Sequence, residues 1–166
     1  RNQIITILLM EEKKLHMRKA IELAFANVKN NKGGPFGAVI VKDGEIIGKG
    51  GNLVTESNDP TAHAEIVAIR EATKKLGTFT LEGCEIYASC EPCPMCLGAI
   101  YWARLDKLYY AATKEDASKS DFDDSFIYKE ISLPKDQRSI PSLQLMRDDA
   151  VKVFEAWNDS GNKIPY

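Results

Sequence analysis

The sequence predicts an α/β fold, a three-layer α/β/α sandwich around a central mixed sheet of about five strands. Three observations predict it: two β-rich runs flanking an Asp-Gly pair, a later alternation of strand and helix patterns, and an amphipathic helix ahead of both. Strand–helix–strand alternation implies neighbouring parallel strands with right-handed crossovers, whereas a hairpin supplies an antiparallel pair, so the sheet is mixed. A chain of 166 residues fits one domain with one substantial core.

The spacing of Met17, Ile21, Ala24 and Val28 predicts a helix over residues 11–30, stopped by Gly33-Gly34-Pro35. Residues 38–41 and 46–47 flank Lys42-Asp43-Gly44-Glu45 and predict a hairpin. After the loop Ser57-Asn58-Asp59, Pro60 suits a first helical position with Asp59 as its cap. That helix runs to about Leu76, with Ile66, Ile69 and Ala72 on one face. Residues 84–88 read as a strand, 94–103 as a helix, 105–112 as a strand, and a polar helical segment follows from Lys114. The tail from about residue 133 contains Pro134, Pro141 and Pro165, and one more helix over 149–158 is expected to bury Val153, Phe154 and Trp157.

The apolar run over residues 4–10 is too short for a bilayer span, which takes about 20 residues. Glu11-Glu12-Lys13-Lys14 follows it with no small-residue cleavage site, which argues against a secretory signal. Met10 is a candidate native start. Residues 1–9 are then a non-native extension; otherwise they are native. Residues 10–166 read as a single domain. The net charge is -2 and the pI about 5.8, and no basic run exceeds the pairs Lys13-Lys14 and Lys74-Lys75. Those pairs read as solvated helix faces, so neither nucleic acid nor membrane is an expected partner.

Cys84, Cys90, Cys93 and Cys96 crowd into one segment, where a disulfide framework would spread them to close loops. Clustering opposite a remote histidine reads as metal binding in a reducing cytosol, hence a cytoplasmic location. The two decisive segments are Thr61-Ala62-His63-Ala64-Glu65 and Ser89-Cys90-Glu91-Pro92-Cys93-Pro94-Met95-Cys96, which together carry the H-x-E…P-C-x-x-C pattern of zinc nucleobase deaminases. With Pro94 as first helical residue, Cys93 is the cap and Cys96 lies in the first turn, so both sulfurs can face one point. Amide dipoles at a helix start favour the thiolate, the form that binds metal.

His63 occupies the equivalent turn of the preceding helix, and two parallel helices on one face of the sheet would bring the three ligands together. Three ligands for one Zn²⁺ per chain leave the fourth tetrahedral position open, as catalysis requires. Two thiolates and a neutral imidazole cancel the charge of the dication, so this centre is a weaker Lewis acid than a three-histidine site and depends more on a nearby base. Glu65, two residues after a ligand, supplies it. The alternative is a structural zinc closed by Cys90, which leaves Glu65 unexplained. Cys84 reads as a small buried strand residue and His16 as plain surface.

With these motifs in view, the chain resembles the cytidine-deaminase-like superfamily, and more closely the bacterial guanine deaminases. The resemblance runs from Glu11 over nearly the whole length. It includes Gly33-Gly34-Pro35-Phe36-Gly37-Ala38, Asn58-Asp59-Pro60-Thr61-Ala62-His63-Ala64-Glu65, residues 89–102 and Phe122-Asp123-Asp124-Ser125-Phe126. The zinc motifs are specific to the superfamily; the Phe122-Asp123-Asp124 segment and the terminal Tyr166 point to guanine.

The resemblance implies hydrolysis of guanine to xanthine and ammonia, in purine salvage or catabolism, with Glu65 shuttling protons. It implies that Asn52 hydrogen-bonds the base, that the amide of Ala64 meets a ring carbonyl, and that Phe36 and Trp102 pack on the ring. Asp124 would hold the substrate amine and help protonate it as a second catalytic group, and Tyr166 would close the pocket as part of a tail that acts as a lid. In that family the tail can come from a dimer partner, so a domain-swapped homodimer is implied.

Plainer alternatives stand beside these roles. Asn52 is a turn residue, Phe36 and Trp102 are core aromatics, and Asp123 and Asp124 are surface acids or a cap. Rival activities are deamination of guanosine or another purine, and of adenosine in tRNA, which would use the same His63, Glu65, Cys93 and Cys96. The acidic pI argues against the tRNA substrate. A non-catalytic, zinc-stabilised binding module is the rival outside enzymology, and Glu65 argues against it.

Overall fold

The computed structural model describes residues 2–166; Arg1, the first residue of the candidate extension, lies outside them. The chain divides into two compact units, one ending at Asp124 and the other spanning Ser125–Tyr166.

The first unit opens with α1 (Asn2–Lys29), which begins well before the expected Glu11. No glycine or proline interrupts the chain before Gly33, so nothing prevents residues 4–10 from joining the same helix. β1 (Gly37–Lys42) and β2 (Glu45–Gly51) form the predicted hairpin. Its two-residue turn has Asp43 at φ 50° and Gly44 at φ 80°, the doubly left-handed geometry that matches strand twist and selects Asp-Gly.

The short α2 (Val54–Ser57) leads to α3 (Ala64–Leu76). β3 (Cys84–Cys90), α4 (Pro94–Trp102) and β4 (Lys107–Ala112) make the expected strand–helix–strand unit with a parallel strand pair, and α5 (Lys114–Ser118) follows. The sheet has four described strands in the order β2-β1-β3-β4, with β1 antiparallel to both of its neighbours. The fifth expected strand is not formed among the described residues. Every β-patterned run is already used by Ala112, and the segments that follow are polar, helical or broken by proline.

Strand β1 is buried along almost its entire length. Its alternate residues enter two clusters, as the twofold period of a strand requires. Ala38 and Ile40 pack with Ala64, Ala68 and Ala72 of α3 and Ile100 of α4. Val39 and Val41 pack with Tyr87 of β3 and with Met17 and Leu23 of α1.

Helix α3 departs from expectation in two ways. It starts at Ala64, not Pro60, because the carbonyl of Ala62 accepts the amide of Leu53 (2.9 Å) and His63 is extended. Asp59 caps a turn instead, accepting from the amide (2.8 Å) and hydroxyl (2.7 Å) of Thr61. The buried face consists of Ala64, Glu65, Ala68 and Ala72, with Ile69 half-buried against it; Ile66 is only half-buried and lies outside that cluster. Small residues are needed because α3 lies against glycines of β2. A Cβ at Gly48 would sit 2.5 Å from the carbonyl oxygen of Ala68, and one at Gly50 2.5 Å from that of Ala64.

Two residues read as surface are not. His16 is largely buried, its ring centroid 5.3 Å from that of Tyr87. Lys13 is half-buried, 3.1 Å from Glu85 and over the ring of Tyr109. Both lie where α1 crosses the sheet, which a one-dimensional charge pattern does not register.

The second unit contains α6 (Ser125–Ser132), a 3-10 turn (Lys135–Gln137) and α7 (Arg147–Asp159). Ser139 donates its amide to Glu130 (2.8 Å), and Arg138 donates to the carbonyl of Leu133 (3.2 Å). The predicted last helix is present, but it does not bury its apolar residues. Val153 and Phe154 are each 68% exposed and Trp157 is 44% exposed. A unit this small has too little surface of its own to cover them.

Candidate active site

His63 caps α3 and Cys93 caps α4, both in extended backbone, and Pro94 takes the first position of α4. The helix starts therefore present an imidazole and two sulfurs to one place. His63 Nδ1 lies 3.5 Å from Cys93 Sγ and 3.5 Å from Cys96 Sγ, and the three ligand atoms all fall within 4.8 Å of one another. A tetrahedral zinc with its usual bond lengths to sulfur and nitrogen has an S···N edge of about 3.6 Å. The geometry and the donor set fit zinc.

The hydrogen bond with Cys96, then that with His63, pulls the Cys93 thiol down to about 4, while the same Cys93–Cys96 bond and burial push Cys96 up. Both sulfurs must be deprotonated to ligate a dication, so metal binding releases protons here.

Among the described residues this group is His63, Cys93 and Cys96, without Cys90 or Glu65. Cys90 is buried with its sulfur 3.5 Å from the carbonyl of Thr113, and burial followed by the charge of Glu65 pushes its thiol up to about 11. A neutral thiol so engaged is a poor metal ligand. Glu65 is 8% exposed, and burial raises its carboxyl, with the charge of Cys93 adding to the effect. A buried carboxylate shifted toward neutrality beside a three-donor metal site is what proton transfer near neutral pH needs.

This pattern has a counterpart among known proteins. Residues 10–112 match the family described as the cytidine and deoxycytidylate deaminase zinc-binding region. The chain belongs to that deaminase family. Guanine deaminase of Bacillus subtilis (strain 168) is 55% identical to this deaminase over 150 residues, 90% of this chain and 96% of that protein. The X-ray structure of guanine deaminase from Bacillus subtilis superposes with a TM-score of 0.90 at 54% identity, covering 92% of this chain and 98% of that one. A tRNA-specific adenosine deaminase of Aquifex aeolicus is 54% identical over 78 residues, 47% of this chain and 52% of that protein.

The remaining site residues expected of this deaminase fall into three groups. Phe36, Asn52 and Ala64 lie at the same end of the sheet as the ligands. The amide of Asn52 donates to the carbonyl of Phe36 (3.1 Å), and the Leu53–Ala62 bond ties the end of β2 to the start of α3. Ala64 is the first residue of α3, so its amide has no acceptor within the helix. Phe36 is half-buried and meets Phe122 edge to face at 4.9 Å.

Asp124 forms the second group. It is half-buried, and burial, then the negative charge of Cys93, raises its carboxyl. Trp102 and Tyr166 form the third. Trp102 ends α4, about 13 Å along the helix axis from Cys93, and is 66% exposed, so this chain's helix does not bring it to the cluster. Tyr166 is exposed in the second unit.

Sequence reasoning missed Ser89, Glu91 and Asn27. Ser89 accepts the amide of Gly37 (3.0 Å), which ties the end of β3 to the start of β1, and Glu91 accepts that of Lys114 (3.2 Å), which fastens the loop carrying Cys93 to the start of α5. Both stand inside the cysteine motif, where the ligands hide them.

Proposed function

We propose that this deaminase hydrolyses guanine to xanthine and ammonia. The observation that carries the reading is Glu65, buried next to a three-donor zinc site, in a chain that resembles a guanine deaminase over 90% of its length. A zinc ion held by His63, Cys93 and Cys96 supplies Lewis acidity that makes water a nucleophile near neutral pH.

Glu65 takes a proton from the attacking water and returns it to the substrate. A C–O bond forms at the carbon bearing the amino group, the C–N bond breaks, and ammonia leaves with the returned proton. Asn52 and the Ala64 amide hold the base edge, Phe36 packs on the ring, and Asp124 holds the leaving amine. Trp102 and Tyr166 are completed as pocket residues by a second copy of the chain.

That last role fits the exposed apolar residues of the second unit, which a homodimer with exchanged tails would cover. The same reading gives the fold as a three-layer α/β/α sandwich and the protein a cytoplasmic place in purine metabolism. No described helix is long and apolar enough to cross a membrane.

The test is ammonia release from guanine, guanosine, adenine and cytosine by the purified zinc-loaded protein. Release from guanine in preference to the other three is expected; release from adenine or guanosine alone would overturn the substrate assignment.

A further inference from the structure

Asn27, a polar residue on the buried side of α1, is 5% exposed, in company with Ala20 and Ala24. Its Nδ2 donates to the carbonyl of Asn52 (2.6 Å) and to the carbonyl of Gly34 (3.1 Å). Both partners are acceptors, which fixes the orientation of the amide. Those two carbonyls belong to the segments that carry the base-contacting residues. Asn52 turns its own Oδ1 onto the amides of Val54 (3.1 Å) and Gly34 (3.4 Å), so its Nδ2 remains as the donor for a ligand. The Asn52 amide also closes on Phe36. One amide group of α1 therefore bridges two strands of backbone and gives the Asn52 carbonyl its partner in a buried place, while the Gly34 carbonyl also accepts the amide of Phe36 (2.8 Å).

The packing leaves no slack around this bridge. A Cβ at Gly51 would lie 2.5 Å from Asn27 Oδ1, and a Cβ at Gly33 would collide with the carbonyl oxygen of Asn52. We infer that Asn27 is a positioning residue for substrate binding, clamping the Gly34–Phe36 segment to Asn52 so that the Asn52 Nδ2 donor is held toward the base. The inference rests on the proposed role of Asn52 in binding guanine.

The experiment is steady-state kinetics on guanine with Asn27→Ala, Asn52→Ala and the double variant, each checked for zinc content and Tm. Alanine is the best helix former, so Asn27→Ala keeps α1 intact. Because the clamp orients a ground-state contact, KM should rise about tenfold with kcat changed by less than about threefold. The double variant should resemble Asn52→Ala alone, since Asn27 acts through Asn52. Gly51→Ala, which pushes a methyl onto Asn27 Oδ1, should reproduce the KM effect by an independent route and decides the matter if Asn27→Ala does not fold.

A normal KM in folded Asn27→Ala and Gly51→Ala, beside a raised KM in Asn52→Ala, overturns the role of Asn27 alone. Full additivity in the double variant overturns it too. A normal KM in Asn52→Ala removes Asn52 from the base and the inference with it.

Discussion

His63 Nδ1 lies 3.5 Å from the sulfur of Cys96, although 33 residues separate them in sequence. The contact exists only when the starts of α3 and α4 are both seated on the sheet, so metal affinity is also folding free energy. Cys93→Ala should therefore lose zinc by elemental analysis and melt at a lower temperature. Cys90→Ala should keep a full complement, because its sulfur is engaged with Thr113. Full zinc in the Cys93 variant would remove that residue from the ligand set.

Glu65→Gln preserves shape and removes the basic carboxylate. Zinc should stay bound while turnover falls by about 10²-fold or more. Loss of zinc in this variant would make Glu65 a ligand, and near-normal turnover would leave the proton transfer to another group.

The approach of α3 to β2 gives a paired test. Gly50→Ala forces a methyl within 2.5 Å of the Ala64 carbonyl and 2.8 Å of the Val67 side chain, so it should cost about 1–3 kcal/mol and shift His63 enough to weaken zinc binding. Gly98→Ala, in the middle of α4 with nothing within 4 Å of the new Cβ, should stabilise by about 0.5–1 kcal/mol through helix propensity alone. Thermal melts with zinc titrations would distinguish them; equal Tm shifts would contradict the close-approach argument.

Removing the last few residues through Tyr166 should leave a folded, zinc-loaded protein with much weaker activity on guanine, since a lid excludes water and orders the base. If the tail crosses to a partner, mixing truncated subunits with Glu65→Gln subunits should restore part of the activity, because one hybrid site then has both an intact carboxylate and a tail. Undiminished activity after truncation would dismiss the lid, and absence of rescue would place it in cis.

What was legible in the sequence follows from how local each cause is. The cluster of His63, Cys93 and Cys96 is readable because metal chemistry demands particular residue types at particular offsets, and the hairpin because Asp-Gly is nearly a structural instruction. The start of α3 was misread: Asp59 and Pro60 satisfy every local rule for a helix start, but the amide of Leu53 captures the Ala62 carbonyl from another segment. The burial of His16 and Lys13 likewise depends on where α1 crosses the sheet. Asn27 left only a faint trace, an amide on the same helical stripe as Ala20 and Ala24. The periodicity of α7 announces an apolar face and says nothing of whether its own chain or another covers it.

All three ligands and Glu65 precede Ser125, where the second unit begins. The chemistry and the appended helices are thus separable blocks of sequence. Substitutions after residue 124 therefore spare the three ligands themselves, which the first unit carries entire. Chimeras that join residues 1–124 of this chain to the C-terminal portions of other deaminases are accordingly expected to keep all three zinc ligands.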